Sequence, residues 1–300
     1  MSVSITAANR LTYQDGFYAA VEDMSAGLWP LFPEVTVEGE MKRLDYIGVI
    51  DGVQSANTRF APIVAVDPTH DNRWLSTEVN YQAVQVDAKD VLNIMMDPKS
   101  EYMQRLQSAF MRKREDVIIE ALDATVTTGV RGAGTQAFDT TNQQIAAGGT
   151  NITLDKLSEA LYILESRAYA DQDMGQPLYF VYTPKQKQAL LKISEVVNTD
   201  YAQHQALVDG RMASFYGFNF ISSNRLIAGD GLGAGLSESR ECYAFTGDAI
   251  LKGVGLTKIV DAYQDKTLVK HPWMLYVQED IGAVRRYEEK VVKVLCDETA

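Results

Sequence analysis

Three histidines, His70, His204 and His271, and two cysteines, Cys242 and Cys296, are the side chains best suited to nucleophilic or metal chemistry in this sequence. Nucleophilic catalysis needs a base held beside a Ser or Cys, but the histidines sit in unrelated contexts and no Gly-x-Ser-x-Gly elbow is present. Asp67, His70 and Asp71 lie close enough to chelate a divalent cation through two carboxylates and an imidazole. Asp-Pro and His-Asp-Asn are also turn formers, and a turn is the plainer account. Glu288 with Glu289, and Glu279 with Asp280, are adjacent along expected strands and so point to opposite faces, the wrong geometry for an acid/base pair. Gly229, Gly231, Gly233 and Gly235 alternate, but a dinucleotide fingerprint needs a helix directly behind its glycines, and here Ser237-Glu-Ser-Arg-Glu241 follows. Gly129, Gly132 and Gly134 lack the Lys-Ser or Lys-Thr pair of a phosphate loop. No catalytic, cofactor-binding or metal-ligating set is assigned, and no cofactor is expected.

Composition narrows the remaining classes. The 300 residues carry a formal charge of −12, whereas binding by phosphate neutralisation needs Lys and Arg gathered on one face. The longest basic run, Arg112-Lys113-Arg114, is followed at once by Glu115-Asp116, so on a helix it reads as a solvated or interface face neutralised by its neighbours. Two cysteines are too few for a disulfide framework or a cysteine-rich zinc site, which fits assembly in a reducing cytosol. Residues 1–16 lack a basic n-region followed by an apolar h-region, and no apolar stretch is long enough to span a bilayer, so neither secretion by that route nor membrane embedding is expected.

The elements follow from spacing. Leu28-Trp29-Pro30-Leu31-Phe32-Pro33 closes an N-terminal stretch in which two prolines forbid a continuing helix, so an extended arm is expected. Such an arm exposes Trp29, Leu31 and Phe32 unless something covers them, and a partner subunit is one candidate. Residues 35–91 read as strands broken at Asp51-Gly52 and Asp67-Pro68, forming a long excursion of hairpins with half-exposed faces. Asp97-Pro98 supplies a cap and a first-turn proline. Tyr102, Met103, Leu106, Phe110, Val117, Ala121 and Leu122 then recur at helical spacing, predicting a helix that runs to Gly129, on the order of 40 Å. Thr153 caps a second helix with Ile152 and Leu157 as a hydrophobic staple and a stripe through Leu154, Leu157, Leu161, Leu164 and Ala168. Leu178 to Tyr182 predicts a buried strand, Thr183-Pro184 a helix start, and further strands lie near 218–221 and 242–246. From Trp273 the sequence alternates, turns at Gly282 and resumes at Val291, predicting terminal antiparallel strands. The fold class is α+β.

The order of these segments resembles the Hong Kong 97 type of tailed-bacteriophage major capsid protein, and in particular the coat proteins of short-tailed phages. The resemblance is carried by Asp97-Pro-Lys-Ser-Glu-Tyr102, by Arg112 through Leu122, by Thr153-Leu-Asp-Lys-Leu157, by Phe180-Val-Tyr-Thr-Pro-Lys-Gln186, by Tyr216-Gly-Phe-Asn-Phe-Ile221, and by Gly282-Ala-Val-Arg285 through Cys296. It implies an N-terminal arm at 1–37, an extended β-hairpin loop at 38–92, a peripheral domain with the spine helix at 93–170 and 271–300, and an axial domain at 171–270. It also implies a structural protein, not an enzyme. Such a protein self-assembles as hexamers and pentamers into an icosahedral shell enclosing double-stranded DNA, without sequence-specific DNA binding and with no membrane partner. The implied partners are further copies of itself, a separate scaffolding protein and a portal protein at one vertex. The implied location is the virion, after assembly in the host cytoplasm. On this reading intersubunit contacts are expected at Trp29 and Phe32 of the arm, Arg59 and Phe60 of the hairpin, and a third patch of Arg285, Arg286 and Glu288. Two alternatives stay open: an encapsulin-like compartment that encloses an enzyme, and a stand-alone α/β enzyme.

Overall fold

The computed structural model describes residues 27–48, 50, 53, 63, 65, 67–86, 99–168, 176–193, 207–208, 211–212, 214–227, 239–269 and 271–298. Most of the expected arm, the Asp97-Pro98 cap, Arg59 and Phe60, His204 and the 229–235 glycine loop lie outside the described residues. A short 3₁₀ turn at Trp29–Leu31 precedes β1 (Glu34–Val37) and β2 (Met41–Ile47). There follow β3 (His70–Ser76), β4 (Glu78–Val86), α1 (Lys99–Asp123), β5 (Val126–Thr128), β6 (Gly134–Gln136), β7 (Gln144–Ile145) and α2 (Leu154–Ala168). The second half contains β8 (Leu178–Tyr182), α3 (Pro184–Leu190), β9 (Leu207–Val208), β10 (Arg211–Met212), β11 (Ser214–Phe215) and β12 (Phe218–Ser222). The described chain closes with β13 (Ser239–Thr246), β14 (Ile250–Gln264), β15 (Trp273–Arg285) and β16 (Val291–Asp297).

The described strands form three larger sheets and one short ribbon, with orders β11-β12-β8-β13-β16-β7, β1-β14-β15-β4, β2-β3-β5-β6 and β9-β10. In the six-stranded sheet β8, β13 and β16 are buried almost throughout, as expected for central strands covered on both faces. Their Phe180, Val181, Tyr243, Phe245, Val292 and Val294 join Ile118, Ile119 and Leu122 of α1 and Leu157, Ala160 and Leu164 of α2 in the main core. A satellite core sets Leu106 and Phe110 of α1 against Val86, Leu275 and Val277, which fixes the first half of the helix on the four-stranded β1-β14-β15-β4 sheet. No described helix is long and apolar enough to cross a membrane.

Several expectations hold at the level of single residues. The Thr153 cap is present, with Lys156 N donating to Thr153 Oγ1 at 3.3 Å, and the staple residues Ile152 and Leu157 are both buried. Thr183 and Gln186 form a reciprocal capping box at the start of α3, with Pro184 in its first turn. β2 and β3 form an antiparallel ribbon from Met41↔Ser76 to Ile47↔His70, the base of the expected hairpin excursion.

Three expectations are corrected. α1 ends at Asp123, not Gly129, because β-branched Val126, Thr127 and Thr128 pair with β6 instead. Gly282 is not a turn: β15 runs straight through it, and its hydrogen takes a position where a Cβ would lie 2.0 Å from the Ser76 carbonyl oxygen. The terminal strands are antiparallel but not to each other, since β15 lies between β14 and β4 whereas β16 pairs with β13 in a different sheet.

Candidate functional site: the buried arginine network and the subunit surface

The expected third contact patch lies inside the subunit. Arg285, the last residue of β15, is 0% exposed. Its Nε donates to Glu288 Oε2 at 2.8 Å, and its Nη1 donates to the carbonyls of Leu122 at 3.0 Å and Ala124 at 2.9 Å. Those carbonyls belong to the C-terminal end of α1, which has no intrahelical donors for them, so a guanidinium from the far end of the sequence caps the helix. The guanidinium also lies over the Phe138 ring at 5.1 Å. Arg73 of β3 approaches from the other side, donating to Arg285 O at 2.7 Å and to Gln136 Oε1 at 3.1 Å, with Glu288 Oε2 3.9 Å away. The second oxygen of Glu288 accepts the Asp139 N–H at 3.0 Å. Burial works against the charge on Arg285 and pulls its pKa down, and the neighbouring Glu288 carboxylate opposes that shift. Glu288 and Glu289 sit in the turn before β16, not along a strand. Arg286 is the half-buried member of the patch, its guanidinium 4.8 Å from the Tyr287 ring centre.

The arm residues are likewise covered by their own subunit. Phe32 is 3% exposed and packs on Phe245 with ring centroids 5.1 Å apart. Trp29 is half-buried between two cations, Arg114 at 5.4 Å and Lys252 at 5.0 Å from its ring, and Lys252 Nζ also donates to Trp29 O at 3.1 Å. The main core therefore provides the cover that the sequence left open to a partner.

One member of the basic run on α1 and one of the acidic residues after it find tertiary partners. Arg114 forms a bidentate pair with Glu279 of β15, and Asp116 pairs with Arg225. A groove of about 220 Å³ between α1, β4 and β15 is lined by Lys113, Glu78, Glu120 and Asn80 among others, with no histidine or cysteine on its wall. Among the described residues no group of His, Cys, Asp and Glu could hold a metal ion. His70 and Asp71 open β3, where they alternate across the strand instead of converging.

What the surface does carry is apolar. Met41 and Ile47 of β2 are 54% and 69% exposed, Val79 and Tyr81 of β4 are 57% and 68%, and Ile259, Val260 and Tyr263 of β14 are also exposed. On the outer face of the four-stranded β1-β14-β15-β4 sheet, Tyr81 stacks on Tyr276.

The phage capsid protein family matches residues 10–298 of the sequence. The chain belongs to that family. Its fold is the Hong Kong 97 type, shared with solved capsids at low sequence identity. The cyanophage Pam1 capsid superposes with a TM-score of 0.71 at 14% identity, covering 99% of each chain. The cyanophage P-SCSP1u capsid gives 0.70 at 13% identity, covering 94% of this chain and 91% of that one. The capsid of Ralstonia phage GP4 gives 0.69 at 9% identity, covering 99% and 98%. No curated protein matches the sequence. The capsid protein is thus a major subunit of an icosahedral shell and a component of the virion.

Proposed function

We propose that this capsid protein assembles as hexamers and pentamers into a closed shell around double-stranded phage DNA, with no catalytic step and no cofactor. Residues 1–37 serve as arm, 38–92 as extended loop, 93–170 with 271–300 as peripheral domain, and 171–270 as axial domain. The observation that carries the reading is the family match over residues 10–298 in a subunit whose buried charges serve its own fold while its exposed strands remain apolar. The net charge of −12 suits a wall that confines DNA without adhering to it, since like charges repel at close approach and are screened beyond about 10 Å. A separate scaffolding protein guides assembly in the host cytoplasm, and a portal occupies one vertex.

Negative-stain electron microscopy and light scattering of the purified chain, expressed with and without a candidate scaffolding protein, test this. Closed shells, tubes or rings of five or six subunits support it. A compact monomer or dimer under both conditions overturns it, and closed particles filled with an enzyme in place of nucleic acid reassign it to a compartment.

A further inference from the structure

We infer that a small monovalent anion binds at the base of the β2–β3 ribbon, between Tyr46 of β2, Arg73 of β3 and Arg286 in the turn before β16. The site lies within one subunit and goes beyond the shell reading.

Tyr46 and Arg73 share one face of the ribbon, since Arg73 lies opposite Leu44 and Tyr46 follows Leu44 by two residues. The Tyr46 ring packs on Tyr287 with centroids 5.6 Å apart, and the Arg286 guanidinium lies 4.8 Å from the Tyr287 ring centre. The Tyr46 hydroxyl oxygen is buried and has no hydrogen-bond partner. Burial raises its pKa and keeps the proton on, while Arg73, and then Arg286, act in the opposite direction. Arg286 approaches the oxygen without reaching hydrogen-bond geometry. A guanidinium has only donors, and the hydroxyl has a proton to give, so the charged groups facing this hydroxyl all donate. The group that satisfies them is an acceptor with negative charge.

The neighbouring carboxylates are already engaged. Glu288 is shared by Arg285 and Arg73, its Oε2 taken by Arg285 Nε and its Oε1 by the Asp139 N–H. Asp123 also acts on Arg285 but is paired with Lys293, which pairs with Glu241 as well. Lys290, 4.7 Å from the Tyr287 ring, is paired with Asp248. Asp71, directly opposite Tyr46, is exposed, and its Oδ1 accepts the Asn72 N–H. Glu288, Asp123 and Glu241 thus balance Arg73, Arg285 and Lys293, and Asp248 balances Lys290. The charge of half-buried Arg286 is left without a carboxylate among the described residues. Arg285 Nη2 is a second buried donor with no partner, and Arg73 acts on it as it does on Tyr46. One unbalanced positive charge beside an unpaired hydroxyl proton selects a monovalent anion. Bound there, it ties the base of the ribbon to the turn between β15 and β16.

Chlorine nuclear magnetic resonance of the purified full chain tests this, because chloride exchanging with a protein site broadens the signal of the free ion. Wild-type protein should broaden it. Y46F, which keeps the ring and removes the hydroxyl, and R286Q, which removes the charge, should each cut the broadening at least about threefold. R43Q, which removes an exposed charge from the same strand, should match wild type. Replacing gluconate, an anion too bulky for an interior site, with chloride at constant ionic strength gives a second readout. At roughly 300 mM it should raise the wild-type melting temperature by about 2 °C and leave Y46F and R286Q unmoved. Equal broadening in wild type and all variants overturns the site and shows an adventitious ion only. No broadening and no chloride-dependent melting in wild type also overturns it, and assigns the Tyr46 proton to solvent. Either result leaves the shell reading standing.

Discussion

Arg285 and Glu288 form a buried ion pair at 2.8 Å, with side chains 0% and 7% exposed, that joins the end of β15 to the end of α1. Glu288 is also the carboxylate nearest the buried Arg73. Replacing Glu288 with Ala leaves two interior guanidiniums without it, and breaking a buried pair from one side costs about 3–5 kcal/mol. The E288A subunit should lose stability on that scale in urea unfolding of the unassembled chain. A loss below about 1 kcal/mol, the range of a surface pair, would show that the network contributes little to the fold.

A second prediction concerns Gly282, paired with Gly253 in the middle of the β14-β15 ladder. A Cβ at Gly282 would meet the Ser76 carbonyl oxygen and Thr77 Cα, both backbone atoms that cannot rotate away. G282A should therefore cost about 1–3 kcal/mol, the usual penalty of overpacking, or prevent folding. Gly39 has nothing within 4 Å of its Cβ position, so G39A should be neutral or slightly stabilising through the unfolded chain. Equal melting temperatures for the two variants would contradict the close approach.

These two residues also mark where sequence reading ends. The spacing of Leu106, Phe110, Ala121 and Leu122 placed the spine helix, because a one-sided stripe is a local property of the chain. Its C-terminal end was not legible, since the donor that caps it lies 163 residues away in sequence. Gly282 was read as a turn because only tertiary packing reveals the strand beside it. Phe32 was expected at a subunit contact because an extended arm closed by two prolines was expected to leave it uncovered, and Arg285 and Glu288 because charged residues are mostly exposed. The i,i+3 spacing of Arg285 and Glu288 was the one available hint that they satisfy each other.

Lys156 provides a third prediction. Its ammonium lies 2.7–3.1 Å from the carbonyl oxygens of Ala147, Thr150, Asn151 and Leu295, tying α2 and the preceding loop to β16. Burial lowers its pKa, and the carbonyl cage supplies the acceptors that hold the side chain in place. K156M keeps the length of the stem and removes the donors; Ala147 O keeps the Thr150 N–H and hydroxyl and Thr150 O keeps the Asp297 N–H, so the expected cost is that of the lost charge-assisted bonds, about 1.5–3 kcal/mol. The denaturation midpoint should fall with the urea slope unchanged; a wild-type midpoint would mean that water replaces the ammonium.

The fourth prediction is a loss of subunit stability in acid. Burial would raise the pKa of Asp248, but Lys290 at 2.5 Å and the Thr246 hydroxyl at 2.7 Å outweigh it, so the carboxyl titrates below its ordinary 3.8. Burial likewise pushes Glu298 up, and Arg240 and Gln186 hold it below its ordinary 4.5. A carboxyl whose folded pKa is depressed contributes stability that is fully present above the unfolded value and is lost as pH falls through the folded one. Stability from these two sites should be flat from pH 7 to about pH 5 and decline below. D248N should remove part of that acid dependence while leaving the Glu298 part. Measured as urea midpoints between pH 7 and pH 3, the variant and wild-type curves should converge toward acid. Curves that stay parallel throughout would show that the Asp248–Lys290 pair does not couple to folding.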